Sequence, residues 1–176
     1  MLLEKVILVD ALDNELGLME KMEAHQKGLL HRAFSVFLFD NNGNMLLQQR
    51  ALGKYHSPGL WTNTCCSHPR PGETVAEAAK RRLMEEMGIT ADIKMAFSFI
   101  YHAALDQGLT EHELDHVFVG NYEGIISPNS LEVSNYLYMS KADLQRKLDS
   151  NAADFTVWFK IAYPKVVDWY ALNIIN

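Results

Sequence analysis

Residues Trp61 to Gly88 read WTNTCCSHPRPGETVAEAAKRRLMEEMG. The stretch opens as a loop that carries two thiols and an imidazole, Cys65, Cys66 and His68. Pro69, Pro71 and Gly72 then turn the chain, because they do not fit together inside a helix or a central strand. Thr74 and Glu77 have the spacing of a capping box, so a helix begins there and stops before Gly88. Ala76, Ala79, Leu83 and Met87 fall at helical spacing and predict its buried stripe. Arg81, Glu85 and Glu86 then lie largely off that stripe. Thiols, an imidazole, two arginines and a carboxylate pair within one loop–helix unit are more chemistry than a structural element requires.

The rest of the chain must bury this unit. A length of 176 residues is most simply one domain, residues 1–176, and 48% hydrophobic residues suffice for a packed core. The formal net charge of −6 argues against a nucleic-acid partner, yet a local basic cluster can still hold an anionic small molecule. Two adjacent cysteines form no disulfide framework and point to a reducing compartment. The first residues, MLLEKVILVDALDNELG, lack a basic segment followed by a long apolar run, so no signal peptide is expected. No apolar run is long enough to span a bilayer. The expectation is a cytoplasmic monomer without membrane or nucleic-acid contacts.

Upstream of the central stretch, Val6 to Val9 predicts a strand and Gly17 a break. Leu18 to Gln26 predicts a weak helix ending near Gly28. RAFSVFLFD (32–40) reads as a buried strand, Asn41-Asn42-Gly43-Asn44 as a hairpin turn, and Met45 to Arg50 as the returning strand. Downstream, Lys94 to Leu105, Thr110 to Tyr122 and Glu132 to Met139 predict strands. Ser140 and Asp143 cap a short helix to about Asp149, and Thr156 to Tyr170 predicts an apolar helix kinked at Pro164. Strands mixed with a few helices indicate an α+β layered domain.

Several residue sets carry chemistry. His25, His31 and His68 are borderline ligands suited to Zn²⁺, Mn²⁺ or Fe²⁺ when carboxylates join them, although one histidine alone is more often a surface or core residue. Without Cys-x-x-Cys, CCSH (65–68) is no zinc finger. Glu111 and Glu113 share one face of a strand, and Asp115, Val117 and Val119 continue it inward. By itself a solvated strand edge is the favoured reading, but a carboxylate pair leading into a buried face is a better site candidate than one on an all-polar strand. In an extended segment Cys65 and Cys66 face opposite ways, and the sequence does not choose between them. Lys21, Arg50, Lys54 and Arg82 lie in four segments; if the fold gathers them, they hold a phosphate or diphosphate. Trp158 is by default a core residue, and its face can also stabilise a cation.

The helix segment resembles the Nudix box, with Glu73, Arg81, Leu83, Glu85, Glu86, Gly88 and Ile89 in register. Ser67 stands where the box has glycine, and Arg82 where it has its first helix glutamate. Losing that acid removes a magnesium ligand of the family's hydrolases. The segments AHQKGLLHRAFSVFLF (24–39), QQRALGKYHSPGLWTNTCCSHPRPGE (48–73), AAKRRLMEEMG (78–88) and EHELDHVF (111–118) resemble the type I isopentenyl-diphosphate Δ-isomerases, a relative sharing that fold. The resemblance runs from about Lys21 to Trp158.

It implies a Nudix-like mixed β-sheet flanked by helices and an enzyme of isoprenoid biosynthesis that interconverts isopentenyl and dimethylallyl diphosphate. It implies Cys66, two before His68, as the essential cysteine, and a metal centre of His25, His31, His68, Glu111 and Glu113. The metal there would be Mn²⁺, Zn²⁺ or Mg²⁺. A second ion, Mg²⁺, would join the substrate diphosphate to Glu86. Lys21, Arg50, Lys54 and Arg82 match diphosphate-contacting positions, Tyr101 a tyrosine bonded to the catalytic acid, and Trp158 an aromatic facing the hydrocarbon. The chemistry is consistent: an alkene gains one proton and loses another through a tertiary carbocation in a dry pocket, with Glu113 and Cys66 as the proton carriers. Which of the two protonates is left open. A Nudix-type diphosphate hydrolase is the alternative, and a structural metal-binding module without turnover is a third reading.

Overall fold

The expected α+β architecture is present in the computed structural model, which describes residues 4–173. In chain order the elements are β1 (Lys5–Val9), β2 (Glu15–Glu20), α1 (Lys21–Lys27), β3 (His31–Phe39), β4 (Met45–Arg50), β5 (Trp61–Thr62), β6 (Cys65–Ser67), α2 (Val75–Met87), β7 (Ile93–Ala104), β8 (Thr110–Asn121), β9 (Val133–Met139), α3 (Lys141–Asn151) and α4 (Val157–Asn173, with Pro164 inside it). The expectation of no signal peptide, so far as it concerns residues 1–3, lies outside the described residues.

The Asn41–Asn44 turn closes the hairpin between β3 and β4. Gly43 has φ of 78°, and the Asp40 carboxylate accepts hydrogen bonds from the backbone N–H groups of Asn42 and Asn44. The strands form one mixed sheet. Its central feature is β8, parallel to β3 along nine residues, from His31 opposite Glu113 to Phe39 opposite Asn121. On its other side β8 pairs antiparallel with β7, which sets Tyr101 opposite Glu113 and Ala103 opposite Glu111. The other edge of β3 receives β6, with Ser35 opposite Cys66 and Val36 opposite Cys65.

Strand alternation then sorts the side chains into two layers. Phe34, Val36, Leu38 and Cys65 pack with Ala79, Leu83 and Met87 of α2. Phe37, Phe39, Val117 and Val119 pack on the opposite face with Leu144 of α3 and Phe159 and Val166 of α4.

Two expectations need correction. Gly17 does not break the chain. It lies within β2 at φ of 149°, opposite Leu8 and next to a bulge, and the segment from Leu18 continues as strand until α1 begins at Lys21. The apolar residues Leu18 and Met19 pair with Ile7 and Val6, so a strand partner decides against the helical reading. On α2 the buried set is Ala78, Ala79, Leu83, Glu86 and Met87, while Ala76 is exposed. The helix buries the 79-83-87 row and turns the adjacent 78-82-86 row partly inward, so Glu86 is a buried carboxylate rather than a surface one.

The capping box of α2 forms as predicted, with Thr74 and Glu77 each receiving the other's backbone N–H. Gly88 ends the helix at φ of 64°, and a Cβ there would lie 2.4 Å from Ser127 O. Gly88→Ala therefore meets both left-handed strain and a backbone clash, and should destabilise the protein by about 2 kcal/mol. Urea unfolding measures this; an unchanged midpoint would contradict the clash.

Candidate active site

Four side chains from four segments converge where β3 and β8 run side by side. His25 comes from α1, and the left-handed Gly28 turns the chain so that His31 opens β3 six residues later. His68 follows β6, and Glu113 lies on β8. One ligating atom from each of the four lies within 4.8 Å of the others, and all four are buried. His25 Nδ1 donates to Lys21 O at 2.7 Å and His31 Nδ1 to Leu29 O at 2.8 Å. With those nitrogens protonated, each Nε2 presents a lone pair. Both Nε2 atoms are buried without a hydrogen-bond partner, as is His68 Nδ1. Glu113 Oε1 lies 2.9 Å from His68 Nε2 and 3.5 Å from His31 Nε2.

Burial keeps His25 and His68 neutral; it depresses His68 to about 4 although Glu113 opposes it. Burial also works against the Glu113 charge, but the close approach of His31 and the His68 hydrogen bond outweigh it and hold Glu113 well below the usual carboxylate range. Neutral imidazoles with buried, unpartnered lone pairs beside an ionised carboxylate fit a divalent transition ion such as Zn²⁺ or Mn²⁺. Removing metal from the protein should cost about 2.7 kcal/mol of stability relative to an ion concentration one hundred times its Kd. Thermal unfolding before and after chelation tests this; an unchanged Tm would exclude the cluster as a metal site.

Glu111 stands outside that four-atom set, in contact with it through Tyr101. Tyr101 Oη lies 2.6 Å from Glu111 Oε2 and 2.7 Å from Glu113 Oε2. One phenol proton cannot serve two carboxylates, so a second proton belongs to the unit. Burial and the Glu113 charge push Glu111 well up, which places that proton on Glu111. Asp115 continues the face inward, takes a hydrogen bond from Ser35 Oγ at 2.8 Å, and is raised to about 8 by burial and by Glu113.

The β6–β3 pairing decides between the cysteines. Cys65 is fully buried against α2, whereas half-buried Cys66 lines a cleft on the α4 side. Burial pushes the Cys66 thiol up, Arg50 draws it back, and Glu86, Glu111 and Glu113 raise it further, so Cys66 carries its proton. The cleft, with a free volume of about 120 Å³, is lined by Cys66, His68, Glu86, Tyr101, Glu111, Glu113 and Trp158. Fully buried His25 and His31 stand behind its wall.

All four cations from separate segments line this cleft: Lys21, Arg50, Lys54 and Arg82. The Arg50 guanidinium donates to the carbonyls of His56 and Ser57 and lies 5.2 Å from the Trp158 ring centroid. Lys21 pairs with Glu4, Lys54 with Glu132, and Arg82 with Glu85 and Glu86. Glu86 also accepts from Gln48 Nε2 at 2.9 Å. Sequence reasoning missed Glu4, Glu132 and His56 as cleft residues. Glu4 and Glu132 lie far along the chain from their partners, and nothing local marks them. His56 sits two residues after Lys54 in the same loop and is depressed to about 3 by burial and by Arg50.

The fold and the box helix define a Nudix domain, and a family model described as NUDIX domain matches residues 29–159. DR0079 from Deinococcus radiodurans superposes with a TM-score of 0.70 at 18% identity, covering 84% of this chain and 90% of that one. The MutT protein from Methanosarcina mazei Go1 gives 0.64 at 18% identity, covering 82% and 96%. These likenesses concern the fold. At the level of sequence, a Photobacterium profundum protein named isopentenyl-diphosphate Delta-isomerase is 52% identical over 176 residues, covering 97% of this chain and 95% of its own length. A Photorhabdus laumondii protein named isopentenyl-diphosphate Delta-isomerase 2 is 51% identical over 175 residues, covering 96% and 98%. The chain belongs to the isopentenyl-diphosphate Delta-isomerase family of Nudix domains.

Proposed function

We propose that this protein interconverts isopentenyl and dimethylallyl diphosphate. The observation that carries the reading is one cleft in which a protonated thiol, Cys66, and a Glu111–Tyr101–Glu113 unit stand alongside four cations. The cations anchor the diphosphate and so place the alkene between the proton carriers. One carrier adds a proton to the terminal carbon, a tertiary cation forms at the branched carbon, and the other carrier removes a proton from the neighbouring CH₂. Cys66 and Glu113 take these two roles. Tyr101 positions Glu113, and buried Glu111 holds a further proton one hydrogen bond away. The Trp158 ring, whose face already accepts Arg50, offers π density to the cation, and the narrow cleft excludes water that would trap it.

A divalent ion held by His25, His31, His68 and Glu113, with Glu111 adjacent, would act as a Lewis acid that fixes the carboxylate and tunes its acidity. Glu86 would be the carboxylate that holds a magnesium ion carried by the diphosphate. The hydrolase reading is weaker because Arg82, in the place of a box glutamate, is ion-paired with Glu86 at 2.6 Å. A single domain acting as a cytoplasmic monomer, without nucleic acid or membrane, completes the proposal. It accords with the net charge of −6 and with the absence, among the described residues, of a helix long and apolar enough to cross a membrane.

Proton NMR of isopentenyl diphosphate with the protein and Mg²⁺ in D₂O tests the proposal. Growth of dimethylallyl methyl signals with deuterium incorporation is the expected result. Diphosphate cleavage without isomerisation would replace the isomerase with a hydrolase. No change with metal content verified would leave a binding module.

A further inference from the structure

Three of the four cleft cations already hold internal anions. Lys21 Nζ lies 2.9 Å from Glu4 Oε2, Lys54 Nζ lies 2.5 Å from Glu132 Oε2, and Arg82 Nη2 lies 3.3 Å from Glu132 Oε1. Glu132 differs from Glu4 in joining two cations from two elements, the loop after β4 and helix α2. Its backbone is fixed on both sides. Ala51 N donates to Glu132 O and Glu132 N to Asn129 O, both at 2.9 Å, and the next residue, Val133, begins β9 opposite Arg50. The side chains of Lys54, Glu132 and Arg82 are 21%, 22% and 19% exposed. They are shielded enough for their charges to matter and open enough for an anion to reach them.

We propose that Glu132 is a retained internal counter-ion which makes the cleft reject a free diphosphate and accept one already paired with a divalent cation. The inference rests on the reading of this cleft as a diphosphate site. Without ligand, Glu132 offsets the mutual repulsion of Lys54 and Arg82 and keeps both aimed into the cleft. An entering diphosphate must take those cations over. The Glu132 backbone is tied to Ala51 and Asn129, so its carboxylate stays within side-chain reach of the phosphate oxygens. Two anions in a partly shielded site repel one another over several ångströms. Glu86, buried and bonded to the same Arg82 nitrogen at 2.6 Å, adds to that repulsion. A divalent cation on the diphosphate cancels it. The four cations of the cleft face the carboxylates of Glu4, Glu86, Glu113 and Glu132, while Glu111 keeps its proton, so the cleft has no surplus positive charge for a bare diphosphate. Glu132 is thus a positioning and specificity residue that does not touch the reacting carbons.

The test is calorimetric binding of inorganic pyrophosphate to the intact protein and to Glu132→Gln, with and without added Mg²⁺. Without Mg²⁺, Glu132→Gln should bind pyrophosphate about tenfold more tightly than the parent protein, a modest electrostatic effect. With saturating Mg²⁺ the two should agree within about twofold. Glu132→Asp keeps the charge and should keep the parent's dependence on Mg²⁺; if it behaves like Glu132→Gln, the effect is structural and the proposal fails. Equal or weaker Mg²⁺-free binding by Glu132→Gln, while the parent binds magnesium pyrophosphate, overturns the counter-ion role alone. A parent protein that binds no pyrophosphate even with Mg²⁺ overturns the diphosphate reading as well.

Discussion

Cys66→Ala is expected to lower the rate of isomerisation by about 10³-fold or more, while Cys65→Ala keeps it within a few-fold. The two side chains differ by one position and lie on opposite faces of the sheet. Cys66 pairs with Ser35 and faces the cleft; Cys65 pairs with Val36 and is sealed against α2. Alanine at 66 removes the only titratable sulfur lining the cleft and with it one of the two proposed proton carriers. The cations proposed to hold the diphosphate are untouched, so the loss should fall on kcat with KM within a few-fold. Alanine at 65 removes a sulfur from a packed core and should cost about 1 kcal/mol in stability without a kinetic effect. Methyl-signal growth by NMR gives the rates, and urea unfolding gives the stabilities. A Cys66→Ala protein with full activity would remove Cys66 from the proton-carrying role. A lethal Cys65→Ala with tolerant Cys66→Ala would mean that the β6 register is reversed.

That register shows where sequence is informative and where it is not. Asp40 to Asn44 signals its hairpin through residues that supply their own hydrogen bonds, and Thr74 with Glu77 does the same for α2. The carboxylate face of β8 is legible because alternation carries Glu111, Glu113 and Asp115 into Val117 and Val119, and all five are buried. The cysteine facing the cleft was not readable from alternation alone, since period two separates the pair without saying which face is which. The β3–β6 pairing settles it. Gly17 misleads for the opposite reason: it is permissive, and only the long-range pairing with β1 makes it part of a strand. Helical spacing sets Glu86 off the single 79-83-87 stripe of α2, whereas the cleft draws a second row inward and buries it. Glu4 and Glu132 were invisible because an ion pair spanning 17 or 78 residues leaves no local pattern.

Glu113→Gln is the second large effect, an expected loss of about 10³-fold in isomerisation that persists when metal content is matched to the parent. The amide keeps the volume and both polar positions, so β8 and its pairing with His31 and Tyr101 should survive. It removes the charge that holds the set together. Oε1 lies 2.9 Å from His68 and 3.5 Å from His31, and a neutral atom there should weaken a bound divalent ion by about 10- to 100-fold, the scale of ligand-shell changes. Restoring occupancy with excess metal, checked by elemental analysis, separates that loss from the chemical one. The proton-carrying function remains absent, because an amide does not ionise in the neutral range. A secondary consequence checks the assignment. Glu111 is raised by burial and then by the Glu113 charge, so in Glu113→Gln the Glu111 carboxyl should titrate lower than in the parent. Carboxyl-labelled NMR of both proteins under the same metal loading would show this shift. If metal-matched Glu113→Gln retained full activity, Glu113 would be a ligand alone, and the second proton carrier would have to be Glu111 acting through Tyr101.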